Sequence, residues 1–324
     1  LVVELVSGAI NWDTSIFVNE FPSAKEEIKA KKIISVPGGK GANVAVASAK
    51  ILGLNNVGII GALGDDDIAA RQLKILNDGG VDTSCIKRIE NASSGQAYIV
   101  IDNTGENFIV TYKAANHMIT VDMVNDEVTN KSINECRLIT VIDPPLEVAD
   151  ALITKAKNLQ KTVIWAPGLL VRNGFEKIKD IFMKTNYVIL NESEAKILTN
   201  MEDTRSACLT LSGKLDGKRV IGTLGAHGCI LCWQTKIAKI PPINPNELGL
   251  KVINTVGAGD AFIGTFSALK IKEFGDVESL FMANIAGALK TTKEETRGSP
   301  SFKEIKEYLD DKRIQSIFTK INVV

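Results

Sequence analysis

Asn254-Thr255-Val256-Gly257-Ala258-Gly259-Asp260-Ala261-Phe262-Ile263-Gly264-Thr265-Phe266 follows the largely apolar run Leu250 to Ile253. The order reads as a strand that stops in a glycine turn and restarts as a helix with an acid in its first turn. Gly257 and Gly259 carry no Cβ, so the chain can bend sharply there and bring successive N–H groups against a ligand. The helix that follows leaves its first N–H groups unpaired and sets the positive end of its dipole at the same place, which suits a phosphate. A carboxylate at that helix start would repel a phosphate unless the site needs a base. Phosphoryl transfer to an alcohol has that need: the amides of Gly257, Ala258 and Gly259 hold the transferring group while Asp260 takes the proton of the acceptor. The local alternative is a tight strand-to-helix turn with Asp260 as its cap.

Outward from this stretch, short aliphatic runs alternate with longer segments of helical period. Val57–Ala62, Leu138–Ile142, Thr162–Trp165, Tyr187–Leu190 and Val220–Thr223 read as strands, and Ile68–Asn77, Leu146–Asn158 and Ser193–Thr199 as helices. The alternation predicts an α/β fold, a doubly wound and mostly parallel sheet flanked by helices, with ligands at the carboxyl ends of the strands. Residues 9–36 and 92–114 break the pattern. They carry strand-like alternation with no helix between, and Asp102-Asn103-Thr104-Gly105 supplies a hairpin turn. Both are expected to pair into a small separate sheet that covers a cleft or offers a dimer surface. No repeat and no Pro/Gly/Ser-rich linker divides residues 1–324, so a single domain is expected.

Lys plus Arg and Asp plus Glu are both 38, a formal charge of zero, so no strong field invites nucleic acid or an acidic membrane. No apolar run reaches a membrane span, and Leu1 to Val6, with an acid and no basic leader, reads as a buried first strand. Five cysteines, an odd count spread through a long chain, describe a reduced cytoplasmic protein rather than a disulfide framework. Cys229 and Cys232 lie three apart in an apparent strand, so they face opposite ways and do not suit a shared metal.

Four further constellations carry chemistry. Gly38-Gly39-Lys40-Gly41-Ala42-Asn43 opens a helix of small residues that stops at Gly53. Its glycines admit a ligand close to the backbone, Asn43 can donate to and accept from a hydroxyl-bearing molecule, and Lys40 on these residues alone reads first as a surface lysine. Asn11 and Asp13 sit at alternate positions after the first strand, on one face, and either bond sugar hydroxyls or cap a turn. Asn191-Glu192-Ser193-Glu194 has the form of a capping box, and the same oxygens could order water around Mg²⁺ on nucleotide phosphates. Thr223-Leu224-Gly225 is a glycine turn after a strand, open to a nucleotide, and His227 beside it is a weak catalytic candidate.

Gly38 to Asn43, Asn191 to Glu194, Thr223 to Gly225 and Thr255 to Asp260, in that order, resemble the ribokinase (pfkB-type) family of carbohydrate kinases, over nearly the whole chain from Gly8 to Ser301. The resemblance implies an ATP-dependent kinase acting on the primary hydroxyl of a sugar, with Asp260 as base and residues 257–259 as the anion hole. It puts Asn11, Asp13, Gly39, Lys40 and Asn43 at the sugar, Asn191 and Glu194 at magnesium and phosphate, and Thr223, Gly225 and Asn284 near the adenosine, with the 9–36 and 92–114 strands as a lid. Gly-Gly-Lys-Gly-Ala-Asn is more similar to ribokinases than to fructokinases or adenosine kinases, so ribose is the first substrate expected. Other acceptors of the same class are a nucleoside, 2-deoxyribose or another sugar, and the reading from a different class is a non-catalytic sugar or nucleotide sensor. Three residues depart from the pattern. Asn254 replaces the usual Asp at the head of the anion-hole motif, where the resemblance implies a monovalent cation such as K⁺, with Ser301 as a second ligand. Asp143 stands where ribokinases tend to have a glutamate touching the sugar, and Ala166-Pro167 lacks the usual polar residue before proline. A homodimer through free edges of the lid sheet is the expected assembly.

Overall fold

The first strand, Glu4–Gly8, is buried at every residue and lies inside an eleven-stranded sheet rather than at its edge. In the computed structural model, which describes residues 1–104 and 106–323, that strand pairs in parallel with Val57–Leu63 on one side and Leu138–Ile142 on the other. From Leu138–Ile142 the sheet continues in parallel through Thr162–Ala166, Tyr187–Asn191 and Arg219–Thr223. Three antiparallel pairings then add Cys229–Trp233, Lys236–Ile240 and Asn322–Val323. The chain goes one way from the first strand to Val57–Leu63 and then returns to the other side, so the crevice above Gly8 is where the winding reverses.

Strand residues alternate between two apolar layers, as the pleat requires. Leu5 belongs to one and Val6 to the other, and likewise Cys232 and Cys229. The five cysteines are free and buried, as their spacing suggested. Helices Lys40–Leu52, Ala258–Ile271 and Asp276–Lys290 cover one face, and Leu146–Asn158, Phe175–Lys184 and Thr204–Lys214 are among those covering the other. The acid of the first strand, Glu4, is wholly buried, and burial pushes its carboxyl up to about 7 although the Ser48 and Thr140 hydroxyls donate to it.

The small second sheet has the order Lys32–Gly38, Asn11–Phe17, Gly95–Ile101, Asn107–Tyr112. Its outermost strand is exposed along its whole length, with Ile109 at 59% and Tyr112 at 56%. Gly105, part of the expected hairpin turn, lies outside the described residues. One expectation is corrected. Residues 250–253 are not a strand: Ile253 and Asn254 give their N–H groups to the single carbonyl of Thr291 at 2.8 and 3.0 Å, no sheet neighbour is present, and Val252 and Ile253 are exposed. The apolar run is the outer lining of a loop.

Candidate active site

Gly257 is the N-cap of the Ala258–Ile271 helix with φ 85°, a left-handed conformation costly to any residue with a Cβ, and a Cβ there would lie 2.4 Å from the Thr296 carbonyl oxygen. Asp260 is the third helical residue, and its Oδ2 accepts a 2.8 Å hydrogen bond from Asn43 Nδ2. These two residues, 217 apart in sequence, meet because their helices pack at backbone distance. A Cβ on Gly264 would sit 2.5 Å from Val44 O and 2.7 Å from Ala47 Cβ. Burial pushes the Asp260 carboxyl above its ordinary value, opposed by the Asn43 bond and by the charges of Lys40, Lys290 and Arg297. A carboxylate with raised proton affinity, held by one fixed donor, is suited to taking a proton.

The N–H groups of Gly257 and Gly259 have no hydrogen-bond partner among the described residues, whereas that of Ala258 turns back to Thr255 O at 3.2 Å. Of the three amides expected to hold an anion, those of Gly257 and Gly259 are free among the described residues and that of Ala258 closes the turn. A Cβ on Gly259 would meet nothing within 4 Å. No protein packing demands glycine there, and the space it keeps open lies at the helix start.

The acceptor side lies at the reversal of the winding, in a cavity whose lining includes Ser7, Asn11, Lys40, Lys113, Asn116 and Asp143. Asp260 is not part of that lining, but Lys40, at the first turn of its helix, acts electrostatically on both Asp143 and Asp260. Asp143 has φ 39° and a buried Oδ1 with no partner, and burial raises its carboxyl to about 6 against the pull of Lys40 and Lys113. Strain at a buried acid whose hydrogen bonding is unmet marks a position kept for a ligand. Asp13 repeats the pattern: its Oδ1 is unpartnered, burial raises it to about 6 against Arg297, and its carboxylate fills the space a Cβ on Gly38 would need. Of seven buried side-chain polar atoms without partners among the described residues, four belong to Ser7, Asp13, Asp143 and Arg297, all in or beside this site. Gly39, φ 91°, caps the Lys40–Leu52 helix, and a Cβ there would sit 2.5 Å from Asn11 N.

Two anchors were not apparent in the sequence. Arg297 is buried, with Nε donating to Asn43 Oδ1 at 3.1 Å and Nη2 to Gly38 O at 2.7 Å and Gln72 Oε1 at 3.0 Å. It thereby orients the amide that holds Asp260. Asn116 bonds both backbone groups of Ile10 and donates to Asn11 Oδ1 at 2.9 Å, fastening the return from the lid to the first lid strand. No periodicity marks either residue, since each acts across more than a hundred positions of chain.

The nucleotide side is built differently. Asn191 and Glu194 form a complete capping box, with Glu194 N donating to Asn191 Oδ1 at 2.9 Å and Asn191 N to Glu194 Oε2 at 3.1 Å. Thr223 is the register partner of Asn191 on the next strand, and Gly225 begins the following turn with φ 52° and open space where a Cβ would be. Asn284 stands apart, its amide nitrogen given to Pro241 O at 3.1 Å. No cluster of three or more metal-binding side chains occurs among the described residues. A magnesium ion carried by phosphates needs only one or two carboxylates and water, which the half-exposed Glu194 can meet. The expected monovalent-cation ligands already take part in hydrogen bonds of the fold. Asn254 Oδ1 accepts from Val256 N at 3.0 Å, its Nδ2 donates to Glu294 O at 2.7 Å, its carbonyl receives Lys290 Nζ at 2.9 Å, and the Ser301 hydroxyl caps its own helix.

The profile of the pfkB family carbohydrate kinases matches residues 5–302. A ribokinase of Dictyostelium discoideum is 30% identical over 320 residues, covering 93% of this chain and 98% of that protein. A deoxyribokinase of Salmonella typhimurium is 28% identical over 312 residues, covering 94% and 97%. In structure, a ribokinase of Arabidopsis thaliana complexed with ribose and ATP superposes with a TM-score of 0.86 at 23% identity, over 96% of this chain and 100% of that one.

Proposed function

This chain belongs to the pfkB family of carbohydrate kinases, and from that premise we propose that it transfers the γ-phosphoryl group of ATP to the primary hydroxyl of a pentose, D-ribose first. It is a phosphotransferase with an alcohol acceptor, which sets aside the sensor alternative. The observation that carries the finer reading is the meeting of a base, Asp260, with two unpaired glycine amides beside a pocket of unmet carboxylates. The sugar's ring hydroxyls donate to Asp13, Asp143 and Asn11 and accept from Lys40. Asp260 takes the proton of the primary hydroxyl, the oxygen attacks the γ-phosphorus, the bond to the β–γ bridging oxygen breaks, and ADP leaves. Gly257 and Gly259 donate to the transferring group's oxygens, where negative charge concentrates.

Magnesium, carried on the nucleotide near Asn191 and Glu194, would neutralise phosphate charge. Thr223 and Gly225 offer an edge for the base, with Asn284, one of whose amide N–H groups is given to Pro241 O, near the adenosine. The lid sheet, lowered over the sugar, would exclude water, the competing acceptor. Its exposed Phe108, Ile109, Val110 and Tyr112 support a homodimer through that sheet. Free buried cysteines suit the cytoplasm.

The deciding experiment is ADP release with ribose, 2-deoxyribose, fructose and nucleosides as acceptors. Ribose is expected to give the highest kcat/KM. Preference for 2-deoxyribose or a nucleoside would move the acceptor and keep the chemistry, since Asp143 is one carbon shorter than the expected glutamate. No turnover on any of them would overturn the reading.

A further inference from the structure

Lys290, the last residue of the Asp276–Lys290 helix, is a fully buried lysine, 0% exposed. It makes no ion pair with a carboxylate among the described residues, and its one recorded hydrogen bond, for three donors, runs to the main-chain carbonyl of Asn254 at 2.9 Å. Burying an ammonium against a single neutral carbonyl is costly, and burial accordingly lowers its pKa to about 8, with Asp260 and then Glu295 acting in the other direction. The position has to return something for that cost.

What it touches is the head of the glycine loop. Asn254 begins the segment that leads through Val256 to the amides of Gly257 and Gly259, and this segment has no sheet neighbour to stiffen it. It is fastened only to the end of the Lys290 helix and the chain beyond: Ile253 N and Asn254 N to Thr291 O, Asn254 Nδ2 to Glu294 O, and Lys290 Nζ to Asn254 O. Among these ties the ammonium alone brings a formal charge, close enough to act electrostatically on Asp260 and bonded to the first residue of the segment that carries the free Gly257 and Gly259 N–H groups. The groups that a free cation would need are consumed by these same bonds.

We infer that Lys290 is a tethered monovalent cation, a positioning residue whose ammonium holds the 254–259 loop in its anion-binding form and adds positive charge behind it, so that turnover does not depend on added K⁺. The inference rests on reading residues 257–259 as the phosphoryl site.

Its test uses the intact protein and whichever acceptor the panel identifies. Parent kcat is expected to be equal, within twofold, in KCl, NaCl and tetramethylammonium chloride at one ionic strength. Lys290→Met is expected to lose about tenfold or more in kcat with little change in sugar KM, to regain part of it in KCl but not in tetramethylammonium chloride, and Lys290→Arg to retain more than Lys290→Met. Independently of activity, hydrogen exchange of residues 250–260 should quicken in Lys290→Met and slow again with K⁺. Several-fold activation of the parent by K⁺, or a Lys290→Met enzyme as fast as the parent in every salt, would overturn the inference while leaving the kinase reading intact. Failure of the kinase reading shows separately, as absence of any turnover by the parent. Should Lys290→Met not fold, the parent's salt response still decides.

Discussion

The proposed acceptor side and the proposed nucleotide side of the crevice solve polar burial in opposite ways. Around Asp143, Asp13 and Arg297, side chains are buried with hydrogen bonds unmet and carboxylates pushed upward. At Asn191 and Glu194, every group in the capping box is already satisfied and the residues stand at the surface. A ligand on the acceptor side completes the protein, whereas one on the nucleotide side rests on a finished helix end. The difference means that acceptor-side variants should shift binding and chemistry with little loss of fold, and that capping-box variants should shift stability more than chemistry.

The largest expected effect is at the base. Asp260→Asn should lower kcat by about 10³-fold or more while sugar KM changes by less than about threefold, measured by steady-state ADP release. Unchanged turnover would remove Asp260 from the chemistry. Next, Gly259→Ala, which meets no protein atom, should lose about 10²-fold in kcat at an unchanged melting temperature. A drop in melting temperature instead would make that glycine a packing residue and blur the contrast between the two sides.

Asp143 joins the contrast to pH. Its carboxyl is raised from 3.8 to about 6, so it is neutral below that pH and a poorer acceptor for hydroxyls, and sugar KM should rise as pH falls through about 6. The raised value also favours the folded empty protein when protonated. That stabilisation is complete below the unfolded value near 4 and is lost as pH rises through about 6, so apo stability should fall over the window in which sugar affinity improves. Asp143→Asn should raise sugar KM by about tenfold to a hundredfold and take one proton out of the transition, leaving that of Asp13. An unaltered pH profile would put Asp143 outside the binding site. The smallest effect belongs to the finished side: Asn191→Ala should cost about 1 kcal/mol of stability in denaturant unfolding and only severalfold in the KM for magnesium–ATP. A kcat loss as large as that of Gly259→Ala would erase the distinction between the two sides.

Much of this was legible before any coordinates. Gly257 and Gly259 announced a turn at a helix start, Asn191 and Glu194 a capping box, and the alternation after Gln96 a small sheet, because each is a local property of neighbouring residues. The strand expected at residues 250–253 failed for a related reason: an apolar run records side-chain character, but a strand also needs a partner edge, and here the only carbonyl within reach was that of Thr291.

The sequence by itself determined the parallel sheet, the separate small sheet and the glycine turn with an acid in the first turn of the next helix, since period, glycine placement and helix-start chemistry act over a few residues. Only the tertiary structure decided that Arg297 orients Asn43, that Asn43 in turn holds Asp260, that the Ala258 amide turns back to Thr255, and that the Lys290 ammonium lies against the Asn254 carbonyl. Those are contacts between segments far apart in the chain. They are set by how closely two helices can approach at Gly264 and by which buried donors are left over once the backbone is paired, quantities that no local window of sequence contains.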